Sequence, residues 1–286
     1  MAATLYLVAT PIGNLEDITL RALKILRDVV SLIACEDTRQ TQKLLEHFEI
    51  RKPLISYHDH NEAARTSGLL ERLSQGESIA LVSDAGTPLV SDPGYRVVVA
   101  AIENGYPVVP IPGASAALAA LTASGLPVDQ FRFIGFLPVK SAQRRKLLED
   151  LASDLSTVIA YESPHRILPA LEDVDAVLGS RRVVVARELT KIHEEFLRGT
   201  ALSIKQSLES RPAIKGEFTM LIARADAVTA LETLDPIQEI LRLQAEAGLD
   251  RKDAIKSVAK RLGLPKREVY RLAAEQGNTS PDKRRD

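Results

Sequence analysis

Short apolar runs alternate with amphipathic stretches through the first 113 residues, and this alternation restricts the chain more than any other feature. The runs Thr4 to Ala9, Ser31 to Cys35, Pro53 to Ser56, Ser78 to Val82 and Val108 to Ile111 have strand length. The spacing between them suits crossover helices, which predicts a mainly parallel sheet in an α/β domain. Ile18, Ala22, Ile25 and Val29 recur at helical spacing, and Glu16 and Asp17 stand ahead of them where a helix dipole favours negative charge. A helix is expected there. Pro107, Pro110, Pro112 and Gly113 then interrupt both ladders and helices, marking a boundary near 112 and an N-terminal domain of residues 1–113.

After an Ala-rich stretch, Ala114 to Ala123, further strands are predicted at Phe133 to Phe136, Thr157 to Tyr161, Val183 to Ala186, Glu194 to Arg198 and Phe218 to Ala223. Helices are expected around 141–152 and 166–178. The later strands leave less room for crossovers, so this second α/β domain, residues 114–228, should carry a mixed sheet. A third unit spans 235–276. Ile237, Ile240 and Leu241 open one helix, Asp253 to Leu262 form another, and Gly263 to Pro265 turn the chain into Lys266 to Ala274. That outline is a helix-turn-helix. Residues 277–286 read as a disordered tail.

Composition excludes several classes. With 45% hydrophobic and 26% charged residues over 286 positions, the chain is globular. Apolar runs reach only the length of Val97 to Ile102, far short of the roughly 18–20 residues of a membrane span. The start lacks a basic, cleavable leader, so a cytoplasmic protein with no membrane partner is expected. The single Cys35 excludes an intrachain disulfide, and with five histidines it supports no Cys-rich zinc cage. No metal site is expected. Net charge is −1, but residues 251–286 carry 11 Lys and Arg against 5 Asp and Glu. A tail of +6 on a body of −7 suits a polyanionic partner held locally, though it also suits a solvated face.

In an open α/β sheet, ligands bind beyond the carboxyl ends of the strands. Four such loops stand out: Thr10 to Asn14; Glu36, Asp37, Thr38 and Arg39; His58 to Glu62; and Ser83 to Pro88 with Ser91 to Gly94. Small residues in the fourth let backbone amides approach a ligand while Asp84 engages a cation or hydroxyls. A tight turn before a helix start would look similar. No Gly-Lys-Ser/Thr follows and no G-x-G-x-x-G occurs after the first strand, which counts against ATP or NAD. Glu36 and Asp37 beside Arg39 suit a base with a positioning cation, or a helix cap. His58 and His60, if extended, would share one side. Tyr161 to Arg166 and Arg187 to Lys191 repeat the pattern of polar residues at strand ends in the second half, favouring a shared cleft.

The ordered motifs "ATPIGNLEDITLRAL", "EDTRQT", "HDHNE", "LVSDAGTPLVSDPG", "PGASA", "GFLP", "YESPHR", "RELTK" and "KGEF" resemble those of the ribosomal RNA small-subunit 2′-O-ribose methyltransferases, members of the tetrapyrrole-methylase superfamily. The resemblance covers roughly residues 4–225, and the tail resembles that family's helix-turn-helix extension. It implies a two-domain α/β enzyme, usually a homodimer, with S-adenosyl-L-methionine in the cleft between the halves. The implied reaction methylates the ribose 2′-oxygen of a cytidine in the decoding region of small-subunit ribosomal RNA, on naked RNA or the assembled small subunit. By motif position it implies cofactor contacts at Pro11, Val82, Ser83, Asp84, Ser115 and Ala116, and more loosely at Glu162 and Gly199. Asp37 matches a proton acceptor proposed in tetrapyrrole-methylating relatives, and His58 lies near a proposed proton donor. On this reading Asp37 or His58 takes the 2′-hydroxyl proton while Arg39 holds the adjacent phosphate. A porphyrin-ring methylase of the same superfamily and a catalytically silent ribosome-assembly factor are the competing readings.

Overall fold

The structure is a computed structural model, and it describes residues 3–225, 236–262 and 265–277. Within them, β1 (Leu5–Val8), β2 (Leu32–Cys35), β3 (Leu54–Ser56), β4 (Ile79–Val82) and β5 (Val108–Ile111) form a five-stranded sheet in the order β3-β2-β4-β1-β5. Every pairing in it is parallel. The central strands β2 and β4 are buried at every residue. Their unbroken apolar runs follow from this, since parallel strands are covered on both faces. One face packs Val8, Ile33 and Val82 on Leu26 and Leu45; the other packs Leu5, Leu81 and Tyr57 on Leu69 and Val97.

The helix expected between β1 and β2 is broken in three. Glu16 and Asp17 lie in a separate 3₁₀ turn, Leu15–Asp17, capped by Asn14, whose side chain accepts from Glu16 N. Helix α1 (Leu20–Lys24) starts afresh where the Thr19 hydroxyl accepts from Ala22 N at 3.1 Å, and it runs on as a π turn, Ile25–Val29. Capping chemistry at Asn14 and Thr19 outweighed the apolar period. The other crossovers are α2 (Thr38–His47), α3 (Glu62–Ser74) and α4 (Tyr95–Glu103).

After α5 (Ala116–Ser124), closed by left-handed Gly125, a second five-stranded sheet follows. Its strands are β6 (Phe131–Phe136), β7 (Thr157–Glu162), β8 (Arg182–Arg187), β9 (Glu195–Thr200) and β10 (Phe218–Ile222), ordered β6-β7-β10-β8-β9. It is mixed: β6 and β7 are parallel and the remaining neighbours antiparallel. Helices α6 (Ser141–Asp150), α7 (Ile167–Leu178) and α8 (Ala201–Glu209) supply apolar side chains to one face. The opposite face packs Ile159, Val184 and Leu221 against Ala117 and Leu121 of α5 and against Ile12 from the first half. This apolar layer joins the halves and fixes the cleft between them.

Helices α9 (Pro236–Ala247), α10 (Arg251–Leu262) and α11 (Lys266–Gly277) gather their own core around Ile240, Val258 and Val269. The expected turn at Gly263 and Leu264 lies outside the described residues, as does the expected tail beyond Gly277, which itself ends α11. No described helix is long and apolar enough to cross a membrane.

Candidate functional site

The carboxyl ends of β1, β4 and β5 face the second sheet across a cleft of two adjoining chambers. The first, about 370 Å³, has Gly86, Thr87 and Ser115 on one side and Phe136, Tyr161 and Glu162 on the other. The second, about 590 Å³, is lined by Thr10, Pro11, Lys43, Ser83 and Asp84, with Lys191 from the second half. Ile12, Ala85 and Glu217 border both.

Local chemistry explains how these loops are held. Thr10 and Gly86 form an isolated antiparallel bridge. The Thr10 hydroxyl donates to Ser83 O at 3.1 Å, and the Ser83 hydroxyl donates to Gly86 O at 3.3 Å. Thr87 Oγ1 donates to Ala114 O, tying the β4 loop to the segment that opens α5. Gly86 has φ +82, and Leu89 and Ser91 also lie at positive φ, at 72 and 70. Such backbone persists where the surroundings fix it, and it clusters at ligand sites.

The cleft reunites most of the residues expected to touch a cofactor. Ser115, Ala116 and Glu162 line the first chamber; Pro11, Ser83 and Asp84 line the second. Val82 does not join them, because its side chain packs into the core beneath β4. Gly199 does not line either chamber: it sits in β9 opposite Val183, and a methyl there would stand 2.4 Å from Ser203 Oγ. Its lack of a side chain serves the packing of α8, whose N-cap Thr200 pairs with Ser203.

Glu162 is the most telling wall residue. Its side chain is wholly buried, Oε1 accepts from Ser163 N at 2.9 Å, and Oε2 has no hydrogen-bond partner. Arg166 Nη2 stands 3.2 Å from that oxygen without hydrogen-bond alignment. Burial pushes the Glu162 carboxyl above its ordinary range. Buried polar atoms are almost always satisfied, so an orphan acceptor in a chamber wall marks a place for a polar ligand atom.

The expected proton-transfer residues lie outside both chambers' walls. Asp37 caps α2, its Oδ1 accepting from Arg39 N at 2.9 Å, while Arg39 Nη2 donates to Oδ2 at 2.7 Å. Those contacts with Arg39 hold the carboxyl down at about 2, which disfavours Asp37 as a base near neutrality while the pair is intact. Arg39 is 85% exposed beside it. His58 is not extended toward His60. A turn closed by His58 N donating to Asn61 Oδ1 follows β3, the rings meet edge to face, and His58 Nδ1 is buried without a partner. Among the described residues no three His, Cys, Asp or Glu side chains gather to hold a metal.

Sequence reasoning placed Asp92 in the fourth strand-end loop, with a helix start at Asp92, Pro93 and Gly94 as the alternative, but gave it no catalytic role. In the structure Asp92 lines the first chamber, and burial, then the nearby Glu36 carboxylate, push its carboxyl up to about 6. Glu36 is raised as well, by burial and by Asp84 and Asp59. The signal available in sequence was three strand ends rich in carboxylates, after β2, β3 and β4, but which of them stood close together was not readable there.

Comparisons with known proteins match this architecture. The profile of the family described as Tetrapyrrole (Corrin/Porphyrin) Methylases matches residues 4–205. The chain is 50% identical to a "Ribosomal RNA small subunit methyltransferase I" of Halalkalibacterium halodurans, covering 94% of each chain. It is also 50% identical to a protein of the same description from Synechocystis, covering 95% of this chain and 97% of the other. Among solved structures, a uroporphyrin-III C-methyltransferase of Thermus thermophilus complexed with S-adenosylhomocysteine shares the fold, with a TM-score of 0.52 at 18% identity over 77% of this chain and 97% of that one. With a parallel sheet and a mixed sheet enclosing a strand-end cleft, and a family profile that covers the first sheet and runs through β9 of the second, the chain belongs to the tetrapyrrole methylase family.

Proposed function

We infer that this chain is a small-subunit ribosomal RNA methyltransferase that uses S-adenosylmethionine to methylate the ribose 2′-oxygen of a cytidine in the decoding region. The reading works in the cytoplasm and through a homodimer. The observation that carries it is similarity along nearly the whole chain, third unit included, to relatives described as small-subunit ribosomal RNA methyltransferases. A porphyrin-ring methylase would have no use for the basic helical unit.

The first chamber suits the cofactor. Ile12, Ala116, Phe136 and Phe218 give an apolar slot, Gly86 and Ser115 give close backbone, and the orphan Glu162 Oε2 supplies an acceptor. When bound, the cofactor supplies an already activated methyl group on a sulfonium. The chain's own task is then alignment and proton removal. Positioning contributes up to about 7–11 kcal/mol in favourable models, against about 10²- to 10⁴-fold from a general base, so the walls matter more than any single base. The second chamber, with Thr10, Lys43 and Lys191, admits the nucleotide, and exposed Arg39, while keeping Nε and Nη2 on Asp37, offers its remaining Nη1 to an RNA phosphate. Arg251, Lys252 and Tyr270 meet on the surface of the third unit, where phosphate contacts would give salt-sensitive RNA affinity.

The test is transfer from labelled S-adenosylmethionine to purified small subunits, naked small-subunit RNA and uroporphyrinogen, with mass spectrometry of the modified RNA. Ribose methylation of one cytidine in the first two substrates is expected. Methylation of the porphyrinogen alone, or tight RNA binding with no transfer, overturns the reading. Deleting residues 236–286 should weaken subunit affinity and flatten its salt dependence; unchanged values would remove the third unit from RNA binding.

A further inference from the structure

We propose that Asp92 is the carboxylate that accepts the ribose hydroxyl proton during methyl transfer, from its seat in the wall of the first chamber. The proposal rests on the methyltransferase reading above and adds the identity of the base.

Asp92 lines the first chamber but is electrostatically coupled to Asp84, which lines the second. Groups from both halves surround it: Glu36 after β2, Asp59 after β3, Asp84 and the hydrogen-bonding Ser83 after β4, and Tyr161 of β7 across the cleft. Its loop is pinned from both sides. Gly94 at φ +135 packs so tightly on Leu81 that a methyl would lie 2.5 Å from Leu81 Cδ2, and Gly135 at the β6 bulge approaches Ser91 Oγ. Glu162 in the same chamber leaves its buried Oε2 unpartnered, an independent sign that a polar ligand belongs there.

Chemistry separates Asp92 from its neighbours. A general base works best when its proton affinity lies near the working pH. Asp37, locked to Arg39, binds a proton only near 2, whereas burial and the surrounding carboxylates raise Asp92 to about 6. Below that pH the carboxylate is protonated and cannot accept. In the step, the 2′-O–H bond breaks and its proton passes to Asp92. The freed oxygen pair forms the bond to the donor methyl carbon, and the methyl–sulfur bond breaks with its pair kept by sulfur. A sulfonium cation and a carboxylate anion thereby become a neutral thioether and a neutral acid, so charge balances without another reactant.

Three measurements on the full chain test this. In the protein without cofactor, carboxyl NMR of ¹³C-aspartate should show a group titrating near 6 that disappears in Asp92→Asn. Calorimetry should give Asp92→Asn an affinity for S-adenosylhomocysteine within about threefold of the unsubstituted chain, as expected of a group needed only in the transition state. Single-turnover methylation of small subunits should fall about 10²- to 10⁴-fold in Asp92→Asn and lose the acid limb of its pH profile, with part of the rate restored in Asp92→Glu. Retention of rate and limb in Asp92→Asn overturns the proposal. Loss of S-adenosylhomocysteine affinity also overturns it, by assigning the carboxylate to binding. An unsubstituted chain that binds no S-adenosylhomocysteine at all would instead bring down the methyltransferase reading beneath it.

Discussion

Thr10 and Gly86 exchange two backbone hydrogen bonds, Thr10 N to Gly86 O at 2.9 Å and Gly86 N to Thr10 O at 3.0 Å, although the strands they leave run parallel. The loops after β1 and β4 therefore fold toward each other instead of continuing the ladder. Gly86 adopts φ +82 to do so, and a methyl there would stand 3.2 Å from Cγ2 of Ile12, one of the residues shared by both chambers. Gly86→Ala should destabilise the chain by about 1–2 kcal/mol through the left-handed backbone. Affinity for S-adenosylhomocysteine should drop with it. Denaturant unfolding and calorimetry on the same variant check both; an unaltered midpoint would show that the loop relaxes freely.

The halves also meet at Gly13, where a methyl would lie 2.5 Å from Lys191 Cγ and 3.0 Å from Thr190 Oγ1. Asn14 N donates to that same Thr190 hydroxyl at 3.1 Å, and Lys191 is held in place by Glu188 and Glu217. Gly13→Ala should cost about 1–3 kcal/mol by overpacking the joint against Lys191 and Thr190. Combining it with Lys191→Ala should recover part of that loss, a coupling of about 0.5 kcal/mol or more for groups in contact. Additive effects in the double-mutant cycle would place the two residues apart in solution.

Asp173 on α7 is buried against Arg144, Nε to Oδ2 at 2.7 Å, and also accepts from Arg145 Nε and Ser141 Oγ. Burial raises its carboxyl, but the hydrogen bonds from Arg145, Ser141 and Arg144 outweigh it and hold the group below its ordinary range. Asp173→Ala leaves the Arg144 guanidinium buried with carbonyl partners alone and should destabilise the second half by about 3–5 kcal/mol. Equilibrium unfolding followed by a probe in that half measures it, and a loss under about 1 kcal/mol would mean that water reaches the arginine.

Acid sensitivity should centre on Glu195, which Arg211 and, after burial's opposing push, Arg187 hold at about 2. A depressed folded-state value means that the ionised pair stabilises the fold above the unfolded value of about 4.3, and that this contribution fades as pH falls from there toward 2. Glu195→Gln should therefore be less stable than the unsubstituted chain at pH 7 and lose less on acidification. Parallel stability curves for both proteins from pH 5 to about 2 would exclude this pair as a source of acid lability.

Much of the fold is written in local pattern. Unbroken apolar runs such as Ile79–Val82 required strands covered on both sides, and the short spacing of the later strands required antiparallel partners, so the parallel and mixed sheets were legible without coordinates. The ordered strand-end motifs likewise marked Pro11, Ser83, Asp84, Ser115, Ala116 and Glu162 as one site. Side-chain period and turn chemistry are properties of neighbours in sequence, and sequence states them directly. Which carboxylate can take a proton is a different kind of property. Asp37 and Asp92 look alike as letters near strand ends, yet one is neutralised by Arg39 two residues away and the other is desolvated among acids from two other loops and from its own. Burial and the charge of distant segments arise only when those segments meet, so tertiary structure decided the raised proton affinity of Asp92.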